Sequence, residues 1–230
     1  MGAMIPWKIL DTAKVPGGDE VLRLKQRGAE FVIMLGNNQL MSTRLSATEQ
    51  ALATIACDDR IRAAKQPRIL IGGLGMGFTL RAALKILGPQ AHISVAELVP
   101  AVVTWARGPM AEIFEGSLDD PRVTIHETDV GELIRAGKQS YDAILLDVDN
   151  GPEGLSRESN DALYDDKGLR AAHAALKPGG VLAIWSSAPH PEFNARLRKT
   201  KFAVKEIAIR AKGPRGGAQH LMWTATRAKR

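Results

Sequence analysis

One cysteine, Cys57, stands in the 230-residue chain, so no intrachain disulfide can form and a reducing compartment such as the cytoplasm is expected. Aromatic residues make up only 5%. The basic residues are dispersed and carry no interleaved aromatics on which bases could stack, so nucleic acid is not an expected partner despite a net charge of +6. No apolar run approaches the about 18 residues of a membrane-spanning helix, so no membrane association is expected. The histidines His126, His173, His190 and His220 lack ligand spacing, and no metal site is expected. A Walker loop is missing because no Gly-Lys-Ser/Thr follows the glycine cluster, and no Gly-x-Ser-x-Gly nucleophile elbow occurs. Repeats and low-complexity tracts are absent too. What remains is 45% hydrophobic and 24% charged, an ordinary globular composition long enough to bury a core without staples.

The pattern along the chain divides near residue 45. Val21–Leu24 and Phe31–Leu35 read as short strands of a small N-terminal β-hairpin unit, residues 1–44, with a turn at Gly36-Asn37-Asn38. Residues 45–64 have helical spacing, with Ser46 as N-cap. From Pro67 onward, apolar strands alternate with helical stretches: strands at 68–71, 92–96, 122–126, 141–147 and 181–185, with helices near 78–87, 100–107 and 166–176. This alternation predicts an α/β fold with a mostly parallel, Rossmann-like sheet over 45–230. The last two strands, 202–209 and 220–226, have no predicted helix between them, so one is expected to be antiparallel.

Polar residues recur at the strand ends where such sheets bind ligands. Gly72, Gly73, Gly75 and Gly77 follow the first strand, in a loop suited to close backbone approach by a dinucleotide or an adenosyl sulfonium. Glu97 ends the second strand, 20 residues beyond Gly77, where a carboxylate can accept both ribose hydroxyls. Asp129, followed by Val130, ends the third and can accept from an adenine amino group. Asp147 ends the fourth and opens a stretch to Asp166 that holds seven acids and one arginine. That concentration in a basic protein points to a cationic or amine-bearing small molecule as substrate.

Ile71–Gly77, Val95–Pro100, Asp129-Val130, Asp147–Asn150, Leu163-Tyr164 and Leu176–Gly180 together resemble the class I AdoMet-dependent methyltransferase superfamily, and within it the spermidine synthase-like branch. The resemblance implies ribose at Glu97, adenine at Asp129 and the ligand's amino tail at Gln39. It implies a catalytic Asp147 assisted by Asp149, substrate contacts at Asn150 and Tyr164, and a homodimer. Two features depart from the branch. Gly75 stands where aminopropyltransferases carry an aspartate suited to decarboxylated AdoMet, and Thr48-Glu49-Gln50 replaces a tyrosine-histidine-glutamate run. On those departures the first expectation is a methyltransferase that uses S-adenosyl-L-methionine on a small amine. The alternative is aminopropyl transfer from decarboxylated S-adenosylmethionine. An NAD(P)-dependent oxidoreductase and a non-catalytic nucleoside-binding protein are the further readings.

Overall fold

The computed structural model describes residues 5–44, 46–148, 162–210, 216–217 and 219–229. The expected Asp149, Asn150 and most of the acidic stretch lie outside the described residues, as does Arg215 between the last two strands.

The N-terminal unit is larger than the expected hairpin. Four strands, β1 (Lys8–Lys14), β2 (Val21–Arg27), β3 (Glu30–Leu35) and β4 (Asn38–Ser42), form an antiparallel meander. The outer two were not legible because β1 is exposed along most of its length and β4 begins with two exposed polar residues. The inner strands bury Leu22, Leu24, Ile33 and Leu35 in the core shared with the larger sheet. Trp105 Nε1 donates to Asp11 Oδ2 at 2.7 Å and ties β1 to that body.

The predicted helix over 45–64 is two helices, α1 (Ala47–Ala56) and α2 (Asp59–Arg62). Ser46 occupies the N-cap position of α1, but its hydroxyl accepts from the Gln50 side chain at 3.0 Å and caps no backbone N–H. The break follows Cys57, where Asp58 accepts from Ile61 N at 3.0 Å and starts a new helix.

The remaining chain builds a seven-stranded sheet from β5 (Arg68–Gly72), β6 (His92–Ala96), β7 (Val123–His126), β8 (Tyr141–Leu146), β9 (Leu176–Ser186), β10 (Phe202–Arg210) and β11 (Gln219–Arg227). Strand order is β10-β11-β9-β8-β5-β6-β7. β5 to β9 pair in parallel, and β11 runs antiparallel between β9 and β10, as the missing helix required. Helices α3 (Phe78–Ile86), α4 (Pro100–Arg107), α5 (Ala111–Phe114), α6 (Val130–Ala136), α7 (Asp166–Ala175) and α8 (Pro191–Lys199) cover the sheet. Among these, α5, α6 and α8 were not predicted; the nine residues of α8 include only two buried apolar ones, Phe193 and Leu197.

Strand alternation decides what each face buries. Ile69, Ile71, Ala143, Leu145 and Ala183 pack on the side of α1 and α3. Leu70, Ile144, Leu146, Leu182 and Ile184 pack on the side of α6, α7 and α8. The chain runs β5, β6, β7 outward and then returns to place β8 on the other side of β5. A ligand crevice therefore opens between the carboxyl ends of β5 and β8. Among the described residues, no helix is long and apolar enough to cross a membrane.

Candidate active site

Two adjoining cavities occupy that crevice. The larger is an open cleft of about 810 Å³, its solvent-filled mouth included, and is walled by the N-terminal sheet (Leu22, Ile33, Leu40, Met41), the glycine loop and the ends of β6, β7 and β8. Its polar groups include Glu97, Thr128, Asp129 and Asp147. The smaller, about 500 Å³, is lined by residues that include Ser42, Glu49, Phe78, Asp147 and Trp185. Leu40, Met41, Gly75 and Asp147 line both, so Asp147 stands at the junction.

The glycine loop is shaped by two close approaches. Gly73 has φ +88° and lies so near the Asp147 backbone that a Cβ there would sit 2.7 Å from the Asp147 carbonyl oxygen. Gly75 has φ +51°, and a Cβ there would sit 2.7 Å from Met41 Sδ. Gly73 and Gly75 line the larger cavity. Gly72 and Gly77 do not: Gly72 accepts from Asp147 N at 3.0 Å and closes the β5–β8 ladder, and Gly77 occupies the N-cap position of α3.

Glu97 is buried, with 8% of its surface exposed. Its Oε2 accepts from Leu74 N and its Oε1 from Val99 N, each at 2.9 Å, so one carboxylate ties the glycine loop to the start of α4. Burial pushes this carboxyl upward, and backbone N–H groups of Val99, Leu74, Gly75 and Leu98 oppose that push. Asp129 is the N-cap of α6, with Oδ1 accepting from Gly131 N at 2.6 Å; it is half-buried and lines the larger cavity beside Val130.

Asp147 Oδ2 accepts from Thr79 Oγ1 at 2.8 Å. Burial and then the nearby Glu49 carboxylate push the Asp147 carboxyl up to about 7. Glu49 is raised as well, chiefly by burial. Its Oε2 accepts from Thr48 Oγ1 at 2.8 Å. Trp185 lines the smaller cavity; its buried indole N–H has no partner among the described residues, and its ring centre lies 5.0 Å from that of His220.

The structure thus brings together Gly73, Gly75, Glu97, Asp129, Val130 and Asp147. It does not bring Gln39 or Tyr164 to either cavity. β3 pairs Ile33 with Met41 and Met34 with Gln39, and the register shift leaves Leu40 between them. Leu40 and Met41 then face the crevice while Gln39 is exposed. Tyr164 is 1% exposed in the opposite core, its ring 5.7 Å from Phe193 in an edge-on contact. Sequence reasoning treated Glu49 only as a departure. The missed signal is its spacing: it precedes Leu52 and Ala53 by three and four residues, on the buried side of α1. Thr79, in the first turn of α3, was also passed over. Among the described residues, no group of three or more His, Cys, Asp or Glu side chains could hold a metal.

The model of the spermine/spermidine synthase domain matches residues 56–207. A polyamine aminopropyltransferase of Corynebacterium efficiens is 31% identical over 185 residues, covering 77% of this chain and 33% of its own. Polyamine aminopropyltransferase 1 of Streptomyces coelicolor is 32% identical over 123 residues, covering 53% of this chain and 22% of its own. This chain therefore spans a third or less of these curated relatives. Among solved structures, a spermidine synthase in complex with the transition state analogue AdoDATO superposes with a TM-score of 0.74 at 18% identity, over 97% of this chain and 73% of that one. Spermidine synthase from Thermotoga maritima gives 0.73 at the same identity, over 97% and 74%. At that identity the superpositions show the fold. The domain match spans more than half of the chain, and on it the chain belongs to the spermine/spermidine synthase family.

Proposed function

We propose that this chain is an aminopropyltransferase that takes decarboxylated AdoMet and a small amine, in place of the methyltransferase that Gly75 first suggested. The observation that carries this reading is the charge at the junction of the two cavities. Among the described residues no lysine, arginine or histidine lines either cavity, and the charged groups that do are Glu49, Glu97, Asp129 and Asp147. AdoMet ends in an ammonium and a carboxylate. Its carboxylate would meet acids and no cation, which is costly in a partly desolvated site. Decarboxylated AdoMet ends in an ammonium alone, which that field favours. The single missing aspartate at position 75 is outweighed by the lack of a basic partner among the described lining residues.

The larger cavity fits an adenosyl group. Its wall is mostly apolar, Gly73 and Gly75 line it, and Glu97 and Asp129 present carboxylates at its polar rim. In this reading Glu97 holds ribose, Asp129 and Val130 flank adenine, and Asp147 faces the amine. The sulfonium supplies the electrophilic carbon and a good leaving group. The protein's task is to hold an amine in line and keep it unprotonated. An alkyl amine has a pKa of about 10, so it arrives as an ammonium. Asp147, half-buried at the junction, accepts its proton and orients the nitrogen. Asp149 and Asn150 stay assigned by resemblance, as a second acid and a substrate contact. The homodimer expectation is supported by Ile5, Trp7, Ile9 and Val21, exposed on the N-terminal unit.

Calorimetry with AdoMet and decarboxylated AdoMet, followed by product analysis with putrescine, tests the reading. The expected result is at least tenfold tighter binding of the decarboxylated compound, with methylthioadenosine as co-product. Preference for AdoMet with a methylated product would overturn it.

A further inference from the structure

At Asp147, α1, α3 and the end of β8 meet around one hydroxyl. Thr79 Oγ1 lies 2.8 Å from Asp147 Oδ2 and 3.2 Å from the backbone oxygen of Glu49. A threonine hydroxyl has one proton to give. When Asp147 is ionised, that proton points to its carboxylate. When Asp147 is protonated, its own O–H can donate to Thr79 Oγ1, and the threonine proton can turn to the Glu49 carbonyl. Both states are fully hydrogen-bonded, so the hydroxyl can follow the proton without leaving a buried polar group unpaired. The Glu49 side chain lines the same small cavity as Asp147, and Thr48 Oγ1 supports it.

We propose that Glu49 and Thr79 are positioning residues for Asp147: the two carboxylates hold one proton between them, and the Thr79 hydroxyl turns to match the state of Asp147. The proposal rests on the aminopropyltransferase reading only for what the proton is used for. Like charges lining one small cavity resist double ionisation, which favours a singly charged pair near neutrality. From α1 the group facing Asp147 is Glu49; from α3 it is the neutral Thr79. From β9 it is the neutral Trp185, and across the larger cavity stand Glu97 and Asp129. No cation among the described lining residues relieves the repulsion.

In the transfer step the doubly ionised pair takes one proton from the incoming ammonium and becomes singly charged. The freed nitrogen lone pair forms the new N–C bond while the C–S bond breaks and its electrons stay on sulfur. A neutral thioether and a secondary ammonium result, and the proton on the pair later passes to water. The role of Glu49 is to make Asp147 basic enough to accept a proton, and that of Thr79 is to hold its oxygen in place.

The test is a carboxyl-carbon NMR titration of the whole chain with labelled aspartate, using Asp147→Asn to assign the resonance. Glu49→Gln removes the like charge at nearly constant shape, and the Asp147 midpoint should fall by about one pH unit. Thr79→Val removes the donor to the carboxylate, and the midpoint should rise, while Thr79→Ser should restore the wild-type value. The acid limb of kcat/KM should move in the same opposite directions. A midpoint unmoved in Glu49→Gln, or moved the same way in Glu49→Gln and Thr79→Val, overturns the proposal. The titration needs no substrate. Opposed shifts without aminopropyl transfer would refute only the function assigned above. Transfer without shifts would refute only the proton-sharing pair.

Discussion

Gly73 and Asp147 meet backbone to backbone: a Cβ on Gly73 would stand 2.7 Å from the Asp147 carbonyl oxygen, and Gly73 holds φ +88°. The first ligand loop and the proposed catalytic acid are therefore fixed against each other by main chain. Gly73→Ala must move one of them and also occupy a left-handed conformation. Strain of about 1–3 kcal/mol is expected. Urea unfolding should show that loss, and calorimetry should show weakened binding of decarboxylated AdoMet. A variant with unchanged midpoint and affinity would mean that the contact relaxes freely.

Glu97 joins Leu74 N and Val99 N through its two oxygens. Glu97→Gln keeps the size but turns one acceptor into an NH₂ that faces an N–H donor. An unsatisfied buried pair costs about 1–3 kcal/mol. Urea unfolding should report a loss of that size, and binding of decarboxylated AdoMet should weaken at least tenfold, because the same carboxylate is assigned to ribose. Lost stability with affinity intact would leave Glu97 a strut for the loop and nothing more.

Asp147 makes the fold sensitive to alkali. Its carboxyl is raised from 3.8 to about 7 by burial and by Glu49, so the folded chain binds a proton that the unfolded chain has released. Stability from this group is full below the unfolded value and is lost as pH rises between roughly 4 and 7. Asp147→Asn removes this group's share of the dependence. The melting temperature of the variant should exceed that of the wild type at pH 8 and approach it at pH 4, read by circular dichroism. A difference independent of pH would contradict the buried-charge account.

The strand tips were legible because a parallel sheet leaves a strong pattern: apolar runs such as Ile69–Ile71 and Ala143–Leu146 must end in polar residues where the sheet meets a ligand. That logic placed Gly73, Glu97, Asp129 and Asp147 correctly around the crevice. It failed where position depends on one residue of register. Gln39 is turned out by the irregularity at Leu40, which no spacing reveals, and Met41 takes the place at the junction. Tyr164 was assigned by resemblance alone and is core. Glu49 departs from the family motif, and its spacing from Leu52 and Ala53 on the buried side of α1 is what places it at the smaller cavity.

Met41 offers the sharpest test of cofactor choice, because it touches both cavities and would crowd any side chain at Gly75. Met41→Lys puts one cation into a junction where the described lining residues supply none. It would repel the sulfonium and its ammonium tail, and it would pair with a carboxylate if the ligand had one. Each tenfold change corresponds to about 1.4 kcal/mol. Affinity for decarboxylated AdoMet should fall at least tenfold, affinity for AdoMet should fall less or rise, and the ratio of the two should shift toward AdoMet by calorimetry. The same ammonium would favour ionised Asp147 and move the acid limb of the rate profile downward. If both ligands lose affinity equally, the lysine has only blocked the cleft, and the charge argument for the decarboxylated ligand loses its support.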